Sequence, residues 1–352
     1  MAFQSAANWH NLPNGVFSPT IFSRKAQKAF RKSSVVEGIT NSDYFGEISA
    51  YGDSVRIIKE PEILIRQYAR GTSLVRQDLV DEDFSLIVDK ANYFMFGIDD
   101  IEEKQSHVDW MDMATDRAGY KLKDAFDTEV LAYMAGYNVN LATRVWTVNT
   151  TPNGTPNQST AGTDEWLTRN KLTRADFVSG GATTDSIAVG TSGTYDATPL
   201  QILNRMNRKL DELNVDKEGR WVVVDPIFVE KLMDENSKLV NNDFGGTGQH
   251  GEGLTNGRLL TQKIRGFRIH ESNNLPSLGT GPGTIDTNGD ATNFGVILAG
   301  HDSAVATASQ LQKSEKFRDP DSFGDLVRGM QLYGRKILRS EALVRAVYNI
   351  NA

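Results

Sequence analysis

At 352 residues and 38.9 kDa the chain is long enough for one large domain or two to three smaller ones. Its 38 Lys and Arg against 45 Asp and Glu give a formal charge of −7, which argues against a protein whose main task is gripping nucleic acid by neutralising phosphates. Apolar residues at 39% allow a buried core, and the absence of cysteine excludes disulfides, thiolate metal sites and cysteine nucleophiles.

No run approaches the roughly 18–20 uninterrupted apolar residues of a membrane span. Met1 to Ser5 opens without the charged leader and apolar stretch of a secretory signal, so a soluble product made in a cytoplasm is expected. Residues 1–46 read as an arm, because Arg24, Lys25, Lys28, Arg31 and Lys32 all precede the first acid, Glu37. Ser18-Pro19 is a helix start, and Ile21, Phe22, Ala26, Ala29 and Phe30 follow at helical spacing. Two readings stay open: an arm facing a polyanion or a neighbour, and an ordinary surface helix on its own domain.

From 47 to 98 the period changes to two. Val55 to Ile58 and Glu62 to Arg66 are short β-rich runs flanking Pro61, and Phe84 to Val88 with Tyr93 to Phe96 make a second β-prone limb. The acidic stretch Gln77 to Asp83 reads as the tip between the limbs. A hairpin this long is marginally stable alone and has to lean on something. Residues 99–137 read as one long helix. Asp100 with Glu103 resembles a capping box, and Val108, Met111, Thr115, Ala118, Leu122, Ala125 and Glu129 form a stripe broadened by Phe126, Val130 and Met134. As one helix this segment would span roughly 58 Å. Gly119 inside it marks a bend or a close contact.

Residues 138–198 carry Thr, Gly, Asn, Ser and Pro in turn-forming combinations. Regularity returns at Pro199, where Leu203, Met206, Leu210 and Leu213 mark an amphipathic helix. Trp221 to Val224 reads as a buried strand, and Asp225-Pro226 caps a second helix. Strands are expected near 264–270 and 293–299, and in the tail Val344, Ala346, Tyr348 and Ile350 alternate with Arg345, Val347 and Asn349.

Little in the sequence points to catalytic chemistry. Gly246 to Gly251 matches G-x-G-x-x-G but lacks the strand before and the helix after that a dinucleotide site needs. None of the histidines (10, 107, 250, 270, 301) is paired at metal-ligand spacing, so no metal and no cofactor are expected. Asp81-Glu82-Asp83 lacks the rest of a calcium loop. His301-Asp302-Ser303 gathers triad residue types, yet adjacent residues do not form a triad. No catalytic residue is assigned, and an enzyme is not expected.

The order of parts resembles the major capsid protein of tailed bacteriophages, the Hong Kong 97-like fold. The likeness rests on Ser18 to Ser23 with Asn41 to Ile48; on Gly52 to Val55 through Gly71, then Ile87 to Lys90 and Phe94 to Ile101; and on Leu210 to Val215 followed by Gly219 to Pro226. The resemblance implies an α+β chain with an N-terminal arm (1–46), a first peripheral strand with an extended β-hairpin loop (47–98), and a spine helix (99–137). A mixed α/β axial domain with Thr/Gly-rich loops (138–304) and the return strands of the peripheral domain (305–352) follow. It implies copies of the chain as partners, in pentamers and hexamers tiling an icosahedral shell around double-stranded DNA. A separate scaffold protein and a portal are further partners, a decoration protein is left open, and DNA is contacted without sequence readout. The place implied is the virion capsid, assembled in the host bacterial cytoplasm, with no membrane. An encapsulin shell has the same fold and stays open at this point, as does the remoter reading of Gly246 to Gly251 as a nucleotide site.

Within this reading the hairpin is expected to lie on a neighbouring subunit, with Arg66, Arg70 and Arg76 opposite Asp78, Asp81, Glu82 and Asp83. The basic arm, Arg24, Lys25, Lys28, Arg31 and Lys32, is expected on the inner face. The family's covalent link from a loop lysine to a neighbour's asparagine is not expected. Residues 60–89 contain no lysine, and Lys59 and Lys90 are placed at the hairpin base, roughly 30 Å or more from a tip near Asp81.

Overall fold

The computed structural model of the chain describes residues 34–43, 54–59, 63–71, 73–74, 76–78, 82–105, 110–142, 145–148, 170–179, 187–190, 195–233, 263–278, 293–319 and 323–350. The basic run 24–32, Asp81 and Gly246 to Gly251 lie outside these residues, as does most of the Thr/Gly-rich 149–198 stretch.

The first two strands, β1 (Ser54–Lys59) and β2 (Glu82–Asp99), precede helices α1 (Asp100–Gln105) and α2 (Trp110–Ala135). A small hairpin, β3 (Tyr137–Asn140) with β4 (Val145–Val148), and the short β5 (Lys171–Leu172) and β6 (Ile187–Ala188) come next. Then follow α3 (Pro199–Glu212), β7 (Arg220–Val224), α4 (Pro226–Leu232), β8 (Lys263–Ile264), β9 (Phe267–Glu271) and β10 (Ser277–Leu278). The chain ends with β11 (Asn293–His301), β12 (Val305–Arg318), β13 (Gly324–Ile337) and β14 (Leu343–Ile350).

Two sheets organise these elements. One has the order β1-β2-β13-β12, and the other β5-β14-β11-β7-β9-β8, with β10 on β11 and β6 on β14. In the second sheet Trp221, Val222 and Val223 are fully buried, so β7 has apolar cover on both faces, as an unbroken apolar run requires. Trp221 and Val223 join the C-terminal half of α2, and Val222 and Val224 join α3 and α4. Sequence cues fix both of those helices. Thr198 accepts from the Gln201 N–H while Gln201 accepts from the Thr198 N–H, and Asp225 accepts from the Phe228 N–H at 3.1 Å.

The tail differs from expectation. Only β12 and β13 return to the four-stranded sheet, whereas β14 pairs antiparallel with β11 in the eight-stranded one. Its burial explains the choice: Leu343 enters the α2 core while Val344, Ala346 and Tyr348 enter the α3–α4 core. Tyr348 lies across β11 where Gly295 carries no side chain, and a Cβ there would meet its ring at 2.5 Å.

Tyr348 also donates its hydroxyl to Asp225, which burial pushes above the ordinary carboxylate range against that bond and the Phe228 N–H. A carboxyl raised on folding contributes stability that is fully present below its unfolded value, about 3.9, and is lost as pH rises through the folded value. Asp225→Asn keeps the helix cap but removes the titration. The stability of the native chain relative to this variant is expected to fall from about pH 4 upward. Urea midpoints of both chains across pH 4–8 check this, and a pH-independent difference would contradict it.

The expected single helix over 99–137 is two elements, α1 of 6 residues and α2 of 26, the latter about 39 Å long. Asp99, not Asp100, caps α1, accepting from the Ile101 N–H at 2.8 Å, while Asp100 is held by Arg318 at 2.8 Å. Nearly every residue from Phe126 to Ala135 is buried, but Met111 to Gly119 are only half-buried or exposed. Gly119 marks no close contact: a Cβ there would meet nothing within 4 Å. Gly119→Ala is therefore expected to stabilise the subunit by about 0.5–1 kcal/mol, read as a rise in the urea midpoint. A loss of stability would show that the site has a conformational need for glycine.

Candidate assembly surfaces

The hairpin exists, but its register is not the expected one. β1 pairs with the first third of β2, from Ser54 opposite Ile87 to Lys59 opposite Glu82. The rest of β2 pairs with β13. The limb expected at Glu62 to Arg66 is not a strand, since Ile63 to Ala69 have no regular secondary structure. The loop proper therefore runs from 60 to 81, beyond the end of the paired ribbon.

This shift corrects two expectations. Glu82 and Asp83 are not at the tip but in β2, backbone-paired with Lys59 and Ile58. Lys59 in turn stands at the outer end of the ribbon and not at its base, so the distance argument against a lysine near the loop fails for it. Of the expected charged set, Arg66, Arg70, Arg76 and Asp78 lie exposed on the loop. Arg76 pairs with Asp78 at 3.0 Å, two residues along its own strand of chain. An exposed pair of this kind contributes about 0–1 kcal/mol. The Leu64 N–H donates to Gln77 Oε1 at 3.0 Å, which draws the two arms of the loop together.

Sequence reasoning missed the loop's main feature, its uncovered apolar side chains. Ile63, Leu64, Tyr68 and Leu74 are exposed, and Ile65 is 98% exposed. An apolar run reads as strand only when a sheet supplies its cover, and none does here among the described residues. A second patch lies on the outer face of the four-stranded sheet. Tyr93, 79% exposed, stands opposite the exposed Met330, with Met95 beside them. The run Tyr93 to Phe96 is continuous in apolar character because its alternate members face opposite sides. Arg328 crosses this face, bonded to Glu315 at 2.8 Å and lying 4.9 Å from the Phe317 ring centroid. The third patch is the far end of the same sheet, where Ile101 is exposed and Phe323 is 81% exposed.

What holds the arm's entry to the core is a buried clasp. Asp127, fully buried on α2, accepts through Oδ1 from the Val35 and Val36 N–H groups at 2.9 Å and from Ser34 Oγ at 3.1 Å. Its Oδ2 accepts from Asn274 Nδ2 at 3.0 Å, and the same amide donates to Asp124. One carboxylate thus ties residues 34–36, α2 and the loop after β9. Acids at 124 and 127 flanking the apolar Phe126 were the available signal, since buried carboxylates need donors.

No arrangement suited to catalysis appears among the described residues. His301 Nδ1 bonds Ser303 Oγ at 2.9 Å, but the Asp302 carboxylate is on Arg268 at 2.5 and 2.6 Å, so the three residues close the turn between β11 and β12 and do not form a relay. No group of three or more side chains suited to a metal is present among these residues. A groove of about 740 Å³ lies between α2 and the sheet, lined in part by Gly119, Phe126, Thr307 and Gln331. The cation at its rim, Lys123, is bonded to Glu37 at 2.8 Å. No helix among the described residues is long and apolar enough to cross a membrane.

No protein-family model and no curated protein matches the chain. Among solved structures it is similar to a chain from Mycobacterium phage Che8, at TM-score 0.68 and 23% identity over 95% of this chain and 97% of that one. It is also similar to the capsid structure of the cyanophage P-SCSP1u, at TM-score 0.62 and 22% identity over 100% of this chain and 99% of that one. The capsid of a native GTA particle matches at TM-score 0.57 and 12% identity over 97% and 98%. From end to end, then, the chain has the fold of phage and GTA-particle capsid chains.

Proposed function

We propose that the chain is a major capsid protein, the subunit of an icosahedral shell that encloses double-stranded DNA, built from pentamers and hexamers of this one chain. The observation that carries the reading is the loop: five exposed apolar side chains on a segment that its own sheet does not cover, in a chain whose whole length matches capsid chains. A lone subunit gains nothing by exposing Ile63 to Ile65, whereas a repeated neighbour supplies the missing cover at every copy. The role is structural and not catalytic. In the Hong Kong 97-like layout, the four-stranded sheet with α2 forms the peripheral domain, the eight-stranded sheet with α3 and α4 the axial domain, and the loop from 60 to 81 the extended loop. The basic arm, Arg24 to Lys32, faces inward toward DNA or a scaffold protein, and binds DNA weakly and with steep salt dependence. Scaffold and portal proteins are separate chains.

Electron microscopy of the overexpressed full-length chain, alone and with the genes that flank its own, tests this. Closed shells, or rings of five and six, are the expected products. A chain that stays monomeric at high concentration in both cases would overturn the reading.

A further inference from the structure

Two β-bulges lie side by side in the four-stranded sheet. On one side of β13 the register with β2 steps from Lys90 opposite Tyr333 to Val88 opposite Gly334, which leaves Asp89 as an extra residue. On the other side the register with β12 steps from Ser309 opposite Tyr333 to Leu311 opposite Leu332, which leaves Gln310 extra. A bulge interrupts the ladder and bends its strand, so two bulges flanking one residue set a crease across three strands. Gly334 stands on this line, where a Cβ would collide with the Ile87 carbonyl and meet Val88 Cα at 3.0 Å.

The crease divides the sheet into parts with different attachments. Below it, Val305 and Ile337 belong to the same core as Trp221, Val223 and Leu298 of the eight-stranded sheet. Above it, residues 90–99, 311–318 and 324–332 form a blade that leads at Asp99 into α1. The groove of about 740 Å³ between α2 and the sheet spans the crease, with Thr307 and Ser309 on one side of it and Gln331 on the other. Gly119 lines the same groove from α2, and a Cβ there would meet nothing within 4 Å, so helix and blade have room to approach.

Three charged groups meet on this line without closing on one another. Arg335, 7% exposed, has Glu129 of α2 at 3.9 Å and the Tyr133 ring centroid at 5.0 Å. Its Nε and Nη1 have no hydrogen-bond partner among the described residues, and neither has the buried Oδ1 of the bulged Asp89. Glu129 already accepts from Asn92 Nδ2 at 3.2 Å, and that amide also donates to the Tyr333 hydroxyl at 3.3 Å. Burial pushes the Arg335 guanidinium down while Glu129, Tyr133 and Asp89 oppose the shift, so both carboxylates act on this cation. Unmet donors beside an unmet acceptor of opposite charge are a strained arrangement that a small movement relieves.

We propose that the crease is a hinge with two positions and that Arg335 is its latch, reaching for Glu129 in one and closing on Asp89 in the other. The blade then moves as a unit against the eight-stranded sheet, and the groove beside α2 narrows or widens with it. From Tyr333 to Gly324 the blade is about 30 Å long, so a bend of about 10° moves its tip by about 5 Å. The hinge belongs to the single chain and stands apart from the shell reading.

The chain has no cysteine, so Phe323→Cys at the blade tip and Lys217→Cys on the exposed turn before β7 give one spin-label pair. Two distances about 5 Å apart are expected in the free subunit. Glu129→Gln is expected to shift the populations about tenfold toward one distance and Asp89→Asn about tenfold toward the other, since each removes one charged acceptor. A merely structural cluster would lose stability in both variants and shift neither. One distance shared by all three chains, or shifts in the same direction, would overturn the proposal. A second reading needs neither charge variant. Gly119→Cys with Gln331→Cys faces two thiols across the groove, and a disulfide needs about 3.5–4.5 Å between Cβ atoms. Mild oxidation is expected to join them within one chain, and thiols that stay free would overturn the closing of the hinge.

Discussion

Replacing Leu64 and Ile65 together by aspartate is expected to abolish shell formation while leaving the folded subunit unchanged. Both side chains are exposed on the loop and touch no core cluster, so the thermal midpoint should stay within the range of neutral surface changes, about 0.5 kcal/mol. On the proposed function each is covered by a neighbour in the shell, where burying a Leu or Ile side chain contributes about 1.5–3 kcal/mol. The variant loses that burial and places two carboxylates in an apolar contact, at every copy of a closed assembly. Since about 1.4 kcal/mol is tenfold in an equilibrium, particle yield by sedimentation should fall by well over tenfold per contact. Normal yields of normal particles would show that the loop is not an assembly element.

Asp127→Ala is expected to have the opposite signature, a folding defect before any assembly defect. It removes the acceptor for the Val35 and Val36 N–H groups, Ser34 Oγ and one bond of Asn274, all at 2.9–3.1 Å, and leaves buried donors without partners. Each buried orphan costs about 1–3 kcal/mol, so a loss of about 3–5 kcal/mol is expected, a large part of the ~5–15 kcal/mol that holds a typical domain. Asp127→Asn, which keeps one acceptor oxygen, should lose about half as much. Urea unfolding of the purified subunits measures both, and a change under 1 kcal/mol for Asp127→Ala would show that the clasp is replaceable by water.

Local patterns in the sequence were legible where a segment's burial is set by its immediate neighbours in the chain. Trp221 to Val224 reads as a central strand because four consecutive apolar residues need cover on both faces, and Asp225-Pro226 reads as a helix start because cap and proline act within one turn. The existence of β2 was legible for the same reason. Its partner was not. Glu62 to Arg66 and Ser54 to Lys59 are equally β-prone, and pairing is settled by β2 and β13 together, which take β2 from Val88 to Asp99 and leave β1 only Glu82 to Ile87. With the register moved, Glu82 and Asp83 left the tip and Lys59 came to stand at the root of the loop. The alternation in β14 was legible, but not its sheet, since Leu343 and Val344 feed different cores. The clasp at Asp127 was hidden because its donors are backbone N–H groups over ninety residues away. The exposed pair Ile101 and Phe323 was hidden because it arises only where Phe323 meets α1.

The loop at 63–71, uncovered in the free chain, is expected to be covered by another copy in a closed shell. Hydrogen exchange of those amides, compared between free subunits and assembled particles, measures this directly. In the free subunit they should exchange nearly as fast as an unstructured peptide, apart from the Leu64 N–H bonded to Gln77 and from Ala69, which also has a partner. In particles they should slow by at least tenfold across the segment, whereas β7, buried in both states, should not change. Equal exchange of 63–71 in particles and free subunits would contradict the account.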